Sequence, residues 1–196
     1  MTLTKKIIIT GATGFIGTNL INLLIKKNHN LEIIAIDNLK NSSLLDLKNI
    51  LKNNQFKIKK NFFYKRKMKI IFIKKDFELV RKLKNIDFKK IDCLVHLASQ
   101  TGVIQSMKSP EKDAEENILK TIKFLNFLKN KGLKKIIFSS SMGVLGDNLY
   151  SSNKSKHNPL NFYAASKASI ENYLNVYSKT FGIKTYTLRF SNIYGK

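Results

Sequence analysis

Cysteine is almost missing from this sequence. Cys93 stands alone, which excludes an internal disulfide and agrees with a reducing compartment, the cytoplasm being the simplest assignment. Long apolar runs are missing too. No stretch approaches the roughly 18 uninterrupted apolar residues of a membrane-crossing helix, and the apolar run in MTLTKKIIITGATG breaks at Thr10-Gly11, too early for an export segment. No membrane partner is therefore expected. Acidic residues are few, 13 against 36 basic ones, giving a net charge of +23. Such an excess ordinarily points to nucleic acid or an anionic surface. Arginine, however, is scarce: only Arg66, Arg81 and Arg189 carry the planar fork suited to phosphates and base edges. The lysines scatter among isoleucine and asparagine along the whole chain, a compositional drift, so no nucleic-acid partner is expected. The densest run, FKIKKNFFYKRKMK at 56–69, reads as a solvated basic loop or hairpin. Three scattered histidines and one cysteine lack ligand spacing, so no metal is expected. His96, closing an apolar run, reads as a packed, hydrogen-bonded residue.

What is present is an alternation. KKIIIT, LEIIAID, KIIFIKKD, IDCLVHLAS, LKKIIFSSS and IKTYTLRF have the length and composition of strands buried on both faces. Between them FIGTNLINLLIKKN, SPEKDAEENILKTIKFLNFLKNKG and NFYAASKASIENYLNVYSKTFG carry helical spacing. Ser109, Pro110, Glu111 and Asp113 read as an N-cap, a first-turn proline and negative charge at a helix start. Gly132 and Gly182 stand where C-terminal caps belong. Repeating β-α-β units imply an α/β fold of Rossmann type, a doubly wound parallel sheet with helices on both faces. With 196 residues, no repeat and no linker, one domain over 1–196 is expected.

TGATGFIG places Gly11, Gly14 and Gly17 between the first strand and the first helix. Glycine there allows a tight turn, close approach of backbone to a pyrophosphate and close packing of helix on strand; the helix N-terminus offers N–H groups to anions. Three glycines alone are weak evidence. Asp37 strengthens them, ending the second strand 20 residues after Gly17. An aspartate there accepts from both hydroxyls of an adenosine ribose and repels a 2′-phosphate, so NAD is expected over NADP.

FYAASKAS puts Tyr163 and Lys167 on one helix face. An ammonium beside a phenol favours the phenolate and lowers a pKa that starts near about 10. The phenolate can then take a proton from an alcohol. By itself this spacing arises easily by chance in a lysine-rich chain. Ser139, Ser140 and Ser141 add weight, since they end an apolar strand, where ligands gather in open α/β sheets. A hydroxyl there could orient an alcohol and stabilise its oxyanion.

TGATGFIG, DNL, the aspartate of KKDFE, HLASQTGV, ENILKT, SSSMGVLG, YAASK and RFSNIYG occur in the order found in the extended short-chain dehydrogenase/reductase family. The chain resembles its NAD-dependent epimerase/dehydratase branch, which acts on nucleotide sugars and includes UDP-glucose 4-epimerase; the resemblance runs from Lys5 to Gly195. It implies that Gly11, Gly14, Phe15, Ile16 and Gly17 form a pyrophosphate loop, and that Asp37 and Asn38 meet the adenosine ribose. Asp76 and Phe77 would lie beside the adenine, Leu97, Ala98 and Ser99 along the cofactor, and Asn117 near its pocket. Ser141 would be the catalytic hydroxyl, Tyr163 the base, and Lys167 also a grip on the nicotinamide ribose. Ser141 and Asn192 would reach the sugar nucleotide, a UDP-sugar.

Dehydratases of this branch resemble one another in an Asp-Glu pair directly after the catalytic threonine. Met142 and Gly143 stand there instead, so 4-epimerisation is expected ahead of dehydration, decarboxylation or reduction. Two departures qualify the resemblance. The stretch between Asp37 and Asp76 is long and is expected to form an extended, mobile loop. The family's C-terminal substrate lobe, on the order of 100 residues, has no counterpart, so the chain is expected to be a fragment; an inactive NAD-binding module is the alternative. The resembled family commonly forms homodimers, which nothing in this sequence requires or forbids.

Overall fold

Isoleucine runs produce the centre of the sheet. In the computed structural model, which describes residues 4–27, 30–147, 152 and 155–195, the strands are β1 (Lys5–Thr10), β2 (Leu31–Asp37), β3 (Lys57–Lys59), β4 (Phe62–Lys65), β5 (Met68–Lys74), β6 (Cys93–His96), β7 (Lys135–Ser141) and β8 (Lys184–Phe190). The helices are α1 (Phe15–Lys26), α2 (Leu44–Asn53), α3 (Val103–Lys108), α4 (Pro110–Ala114), α5 (Lys120–Lys129) and α6 (Phe162–Phe181). A π-helical stretch, Glu115–Leu119, joins α4 to α5. Short 3-10 turns span Phe77–Lys82 and Met142–Leu145. Asn28, the last residue of the first segment with helical spacing, lies outside the described residues.

The sheet order is β3-β4-β5-β2-β1-β6-β7-β8. From β5 to β8 every pairing is parallel. The chain steps outward from β1 first to β2 and later to β6, so the order reverses at β1, and the carboxyl ends of β1 and β6 flank a crevice where such sheets bind ligands. Strand alternation divides the core in two. Ile8, Ile34, Ile36, Ile71 and Leu94 face Phe124 and Leu128 of α5 and Ile170 and Leu174 of α6. Their neighbours Ile9, Ile33, Ala35, Ile70 and Val95 face Ile21 of α1 and Leu47 and Leu51 of α2. Burying each isoleucine contributes about 1.5–3 kcal/mol, which makes this centre the rigid floor of the site.

Three expectations need correction. The segment between Asp37 and Asp76 is no extended loop: α2 packs Leu47 and Leu51 into the core, and β3 and β4 form an antiparallel hairpin. β4 also pairs antiparallel with β5, so the sheet is mixed at this edge. Phe63 anchors the hairpin in the core, while the lysines of β3 face solvent. Ser109 precedes Pro110 as expected, but its side chain makes no cap; its carbonyl accepts from the Asp113 N–H at 3.1 Å instead. Gly182 does close α6 in the left-handed conformation, where a Cβ is unfavourable.

Candidate active site

The loop after β1 is shaped by close backbone contacts. Gly11 has φ +66°, and a Cβ there would lie 2.9 Å from the Ala98 nitrogen. A Cβ on Gly17 would lie 2.3 Å from the Gly11 carbonyl oxygen. Both glycines are therefore demanded by the protein's own packing. Gly14 differs: a Cβ would meet only the Gly11 oxygen, at 3.4 Å, so the protein itself leaves the space beside it open. Gly14 caps α1 without any side-chain hydrogen bond, and no acidic residue stands in the first turn. The opening N–H groups of a helix have no intrahelical acceptor, so Phe15, Ile16 and Gly17 present donors and partial positive charge to an anion. An open cradle, free donors and no competing carboxylate fit a dinucleotide's pyrophosphate.

Asp37 is joined to this loop. Its carboxylate accepts from the Thr13 N–H at 3.1 Å, the Leu39 N–H at 2.9 Å and the Ser42 hydroxyl at 3.1 Å. Asn38 beside it accepts from the Lys40 N–H. Across the crevice, the Thr10 hydroxyl accepts from the N–H groups of Leu97 and Ala98, both at 3.2 Å, and bonds His96 Nδ1 at 2.7 Å. His96 Nε2 reaches Thr121, and burial, reinforced by Lys167, lowers its pKa to about 3. It is a neutral core residue, as the sequence suggested.

Asp76 stands at the carboxyl end of β5, where the Lys75 N–H donates to the Asp37 carbonyl, and pairs with Lys120 at 3.3 Å. The Phe77 ring is turned into the core, 4.8 Å from the His96 ring and 5.5 Å from Phe124. Phe77 thus has only backbone to offer a base. Asn117, buried in the π-helical stretch, fastens the segment after β6: its Oδ1 accepts from Ser99 and from the Gln100 N–H, both at 2.9 Å, and its Nδ2 donates to the Gln100 carbonyl at 3.0 Å.

Tyr163 and Lys167 share a face of α6 as the spacing requires. Lys167 is only 3% exposed; its Nζ donates to the Ser139 carbonyl at 2.8 Å and lies 5.6 Å from the centre of the Tyr163 ring and 4.9 Å from that of Phe138. Burial lowers its pKa to about 7, opposed by the charge of Asp113. The Tyr163 phenol is raised, first by burial and then by Asp113. The expected lowering of the phenol is therefore not found in the protein by itself. Spacing alone gave the lysine but not its desolvation, nor the carboxylate behind it. Ser141 ends β7 on the same edge and accepts from the Gly143 N–H at 3.1 Å. Asn192 is exposed just beyond β8.

Sequence reasoning missed a second group beneath the serines. Glu171, 9% exposed, accepts from Ser140, from Arg189 Nη2 at 2.6 Å and Nε at 3.0 Å, and contacts His157 Nε2 at 2.9 Å. Burial alone would raise its carboxyl, but the bonds from Arg189, Ser140 and His157 hold it below the usual value. The available signal was Glu171 four residues after Lys167, with one of only three arginines on the adjoining strand.

The family model described as the NAD dependent epimerase/dehydratase family matches residues 7–196. A putative UDP-glucose 4-epimerase of Methanocaldococcus jannaschii is 32% identical, over 97% of this chain and 56% of the relative. A dTDP-D-glucose 4,6-dehydratase of Dictyostelium discoideum is 38% identical, over 97% of this chain and 44% of the relative. Among solved structures, the UDP-N-acetylglucosamine 4-epimerase of Methanobrevibacter ruminantium M1, in complex with UDP-N-acetylmuramic acid, aligns with a TM-score of 0.77 and 29% identity, covering 98% of this chain and 56% of that one. The chain thus spans about half the length of the relatives it matches.

Proposed function

The chain belongs to the NAD-dependent epimerase/dehydratase family, and from that premise we propose that it binds NAD and serves the 4-epimerisation of a nucleotide sugar, most simply a UDP-sugar. The observation that carries this reading is convergence: the glycine loop with Asp37, the Ser139–Ser141 strand end and the Tyr163–Lys167 face all meet at the carboxyl edge of one sheet. Gly14 and the first N–H groups of α1 would hold the pyrophosphate, and Asp37 the adenosine ribose. Lys167 would reach the second ribose. When bound, NAD supplies a hydride acceptor that returns the hydride to the sugar.

The residues of this chain handle the proton. Tyr163 takes it from the sugar hydroxyl and gives it back once the ring has turned its other face. Its protonated form dominates in the protein alone, ready for the return step; the forward step needs positive charge nearby, which Lys167 provides in its ammonium form. Ser141, whose hydroxyl accepts from the Gly143 N–H and keeps its own proton to give, would donate to the same oxygen. Met142 and Gly143, next in sequence, can neither give nor take a proton, which supports epimerisation over dehydration.

Tyr163→Phe tests the reading. We expect turnover of the UDP-sugar to fall by about 10²–10⁴-fold, with NAD affinity unchanged by isothermal titration. An unimpaired variant removes the assignment of Tyr163. A second reading, an NAD-binding module without turnover, is favoured by one observation, the raised phenol. NAD binding with no sugar turnover in the parent chain, at pH 7 or at pH 9, would select it.

A further inference from the structure

Asp113 closes the first turns of α4 and is 2% exposed, a carboxylate buried with few partners. Its Oδ1 accepts from Asn117 Nδ2 at 2.9 Å. The same Nδ2 lies 3.3 Å from the Ser166 hydroxyl, which donates to the Tyr163 carbonyl at 2.9 Å. Ser106, at the end of α3, accepts from the Tyr163 N–H at 3.1 Å. Two serines and an asparagine therefore pin α6, at the residues that carry the tyrosine and lysine, to the segment that carries Asp113. A carboxylate is costly to bury unless it is paired; Lys167, next in sequence to Ser166 and itself buried with its Nζ on the Ser139 carbonyl, is the cation whose charge acts on it.

We propose that Asp113 is a positioning residue of the site: its carboxylate, fixed at the seam of α4 and α6 by Asn117, is the negative charge against which Lys167 keeps its ammonium and Tyr163 keeps its proton. Four titratable groups are linked here through Asp113 and Lys167. Asp113 comes from α4, Tyr163 and Lys167 from α6, and His96 from β6, neutral in the core. The directions agree with the geometry. Burial is the largest influence on all three, lowering Lys167 and raising both the Tyr163 phenol and the Asp113 carboxyl; against it Asp113 opposes the loss of charge at Lys167, and bonds from Ser166 and Asn117 and then the charge of Lys167 oppose protonation of Asp113, while Asp113 adds to the rise at Tyr163. In the reaction proposed above, on which this inference rests, the phenol must both take and return a proton. A fixed charge behind the pair sets the pH at which the two roles balance.

The test is made on the protein without NAD or sugar, so it stands apart from the question of turnover. Lysine labelled at 13Cε reports Lys167 by NMR, assigned by its loss in Lys167→Met. In Asp113→Asn, which keeps the shape and an acceptor for Asn117, we expect the Lys167 midpoint to fall from about 7 by roughly one pH unit, tenfold in the protonation equilibrium. Asp113→Glu should restore it in part. An unchanged midpoint in a folded Asp113→Asn protein overturns the proposal. Should that variant not fold, 13Cγ-aspartate spectra of the parent decide: an Asp113 ionised at pH 7 supports the assignment, and one still protonated there overturns it. Failure of Tyr163→Phe to affect turnover would remove the enzyme reading and leave this charge pairing untouched.

Discussion

Around Gly11 the site is made of backbone, whereas around Tyr163 it is made of buried charge. The glycine loop achieves its shape by leaving side chains out; its donors are the unpaired N–H groups of a helix start, and its one carboxylate, Asp37, is held at the rim by hydrogen bonds. At the other end Asp113, Lys167 and Glu171 are each at most 9% exposed; the charges of Asp113 and Lys167 act on each other, and Glu171 is paired with Arg189. The first end is set by covalent geometry and needs no ionisation state. The second is set by a balance of desolvation and pairing, and shifts with any change in that balance.

Breaking the charged end should have the largest effect. Arg189→Met leaves the buried Glu171 carboxylate without its cation and should cost about 3–5 kcal/mol of stability, read by urea denaturation. At the glycine end, Gly17→Ala drives a Cβ into the Gly11 carbonyl, and should cost about 1–3 kcal/mol together with NAD binding. Acid sharpens the contrast. The folded pKa of Glu171 lies below its ordinary 4.5, so its stabilisation is complete above that value and is lost as pH falls through the folded pKa. Thermal melts should drop below pH 4.5 in the parent and drop less in Glu171→Gln. The smallest effect on the fold should come from Gly14→Ala, within about 0.5 kcal/mol, because the added Cβ meets no crowded protein atom. Its NAD affinity should nevertheless fall by about tenfold, 1.4 kcal/mol, since the Cβ occupies the cradle. Normal affinity in Gly14→Ala would deny that the open space is used.

The same division explains what could be read from the sequence. The glycine spacing, Asp37 and the isoleucine runs are local, and each appears in the structure where the pattern put it. Tyr163 and Lys167 were legible as neighbours through helical spacing. Their protonation was not, because it depends on Asp113, some fifty residues earlier, which looked like ordinary first-turn charge. Glu171 and Arg189 were hidden for the same reason, being paired across α6 and β8 rather than along the chain. The hairpin at 56–69 was legible only as an alternative to a loop, because lysines at 57, 59, 60 and 65 mask the alternation and hide that Phe62 and Phe63 reach the core. Phe77 shows the converse: the family resemblance set it beside a ligand without saying that packing takes its ring and leaves the backbone for that role.

The two margins of the sheet also differ in what they offer another strand. β3 is three residues long and studded with lysine, a poor template for another strand. β8 is seven residues long, exposes Tyr186 and Leu188, and among the described residues pairs with β7 alone. An approaching strand is thus turned away at β3 and met by unpaired backbone groups along the outer side of β8.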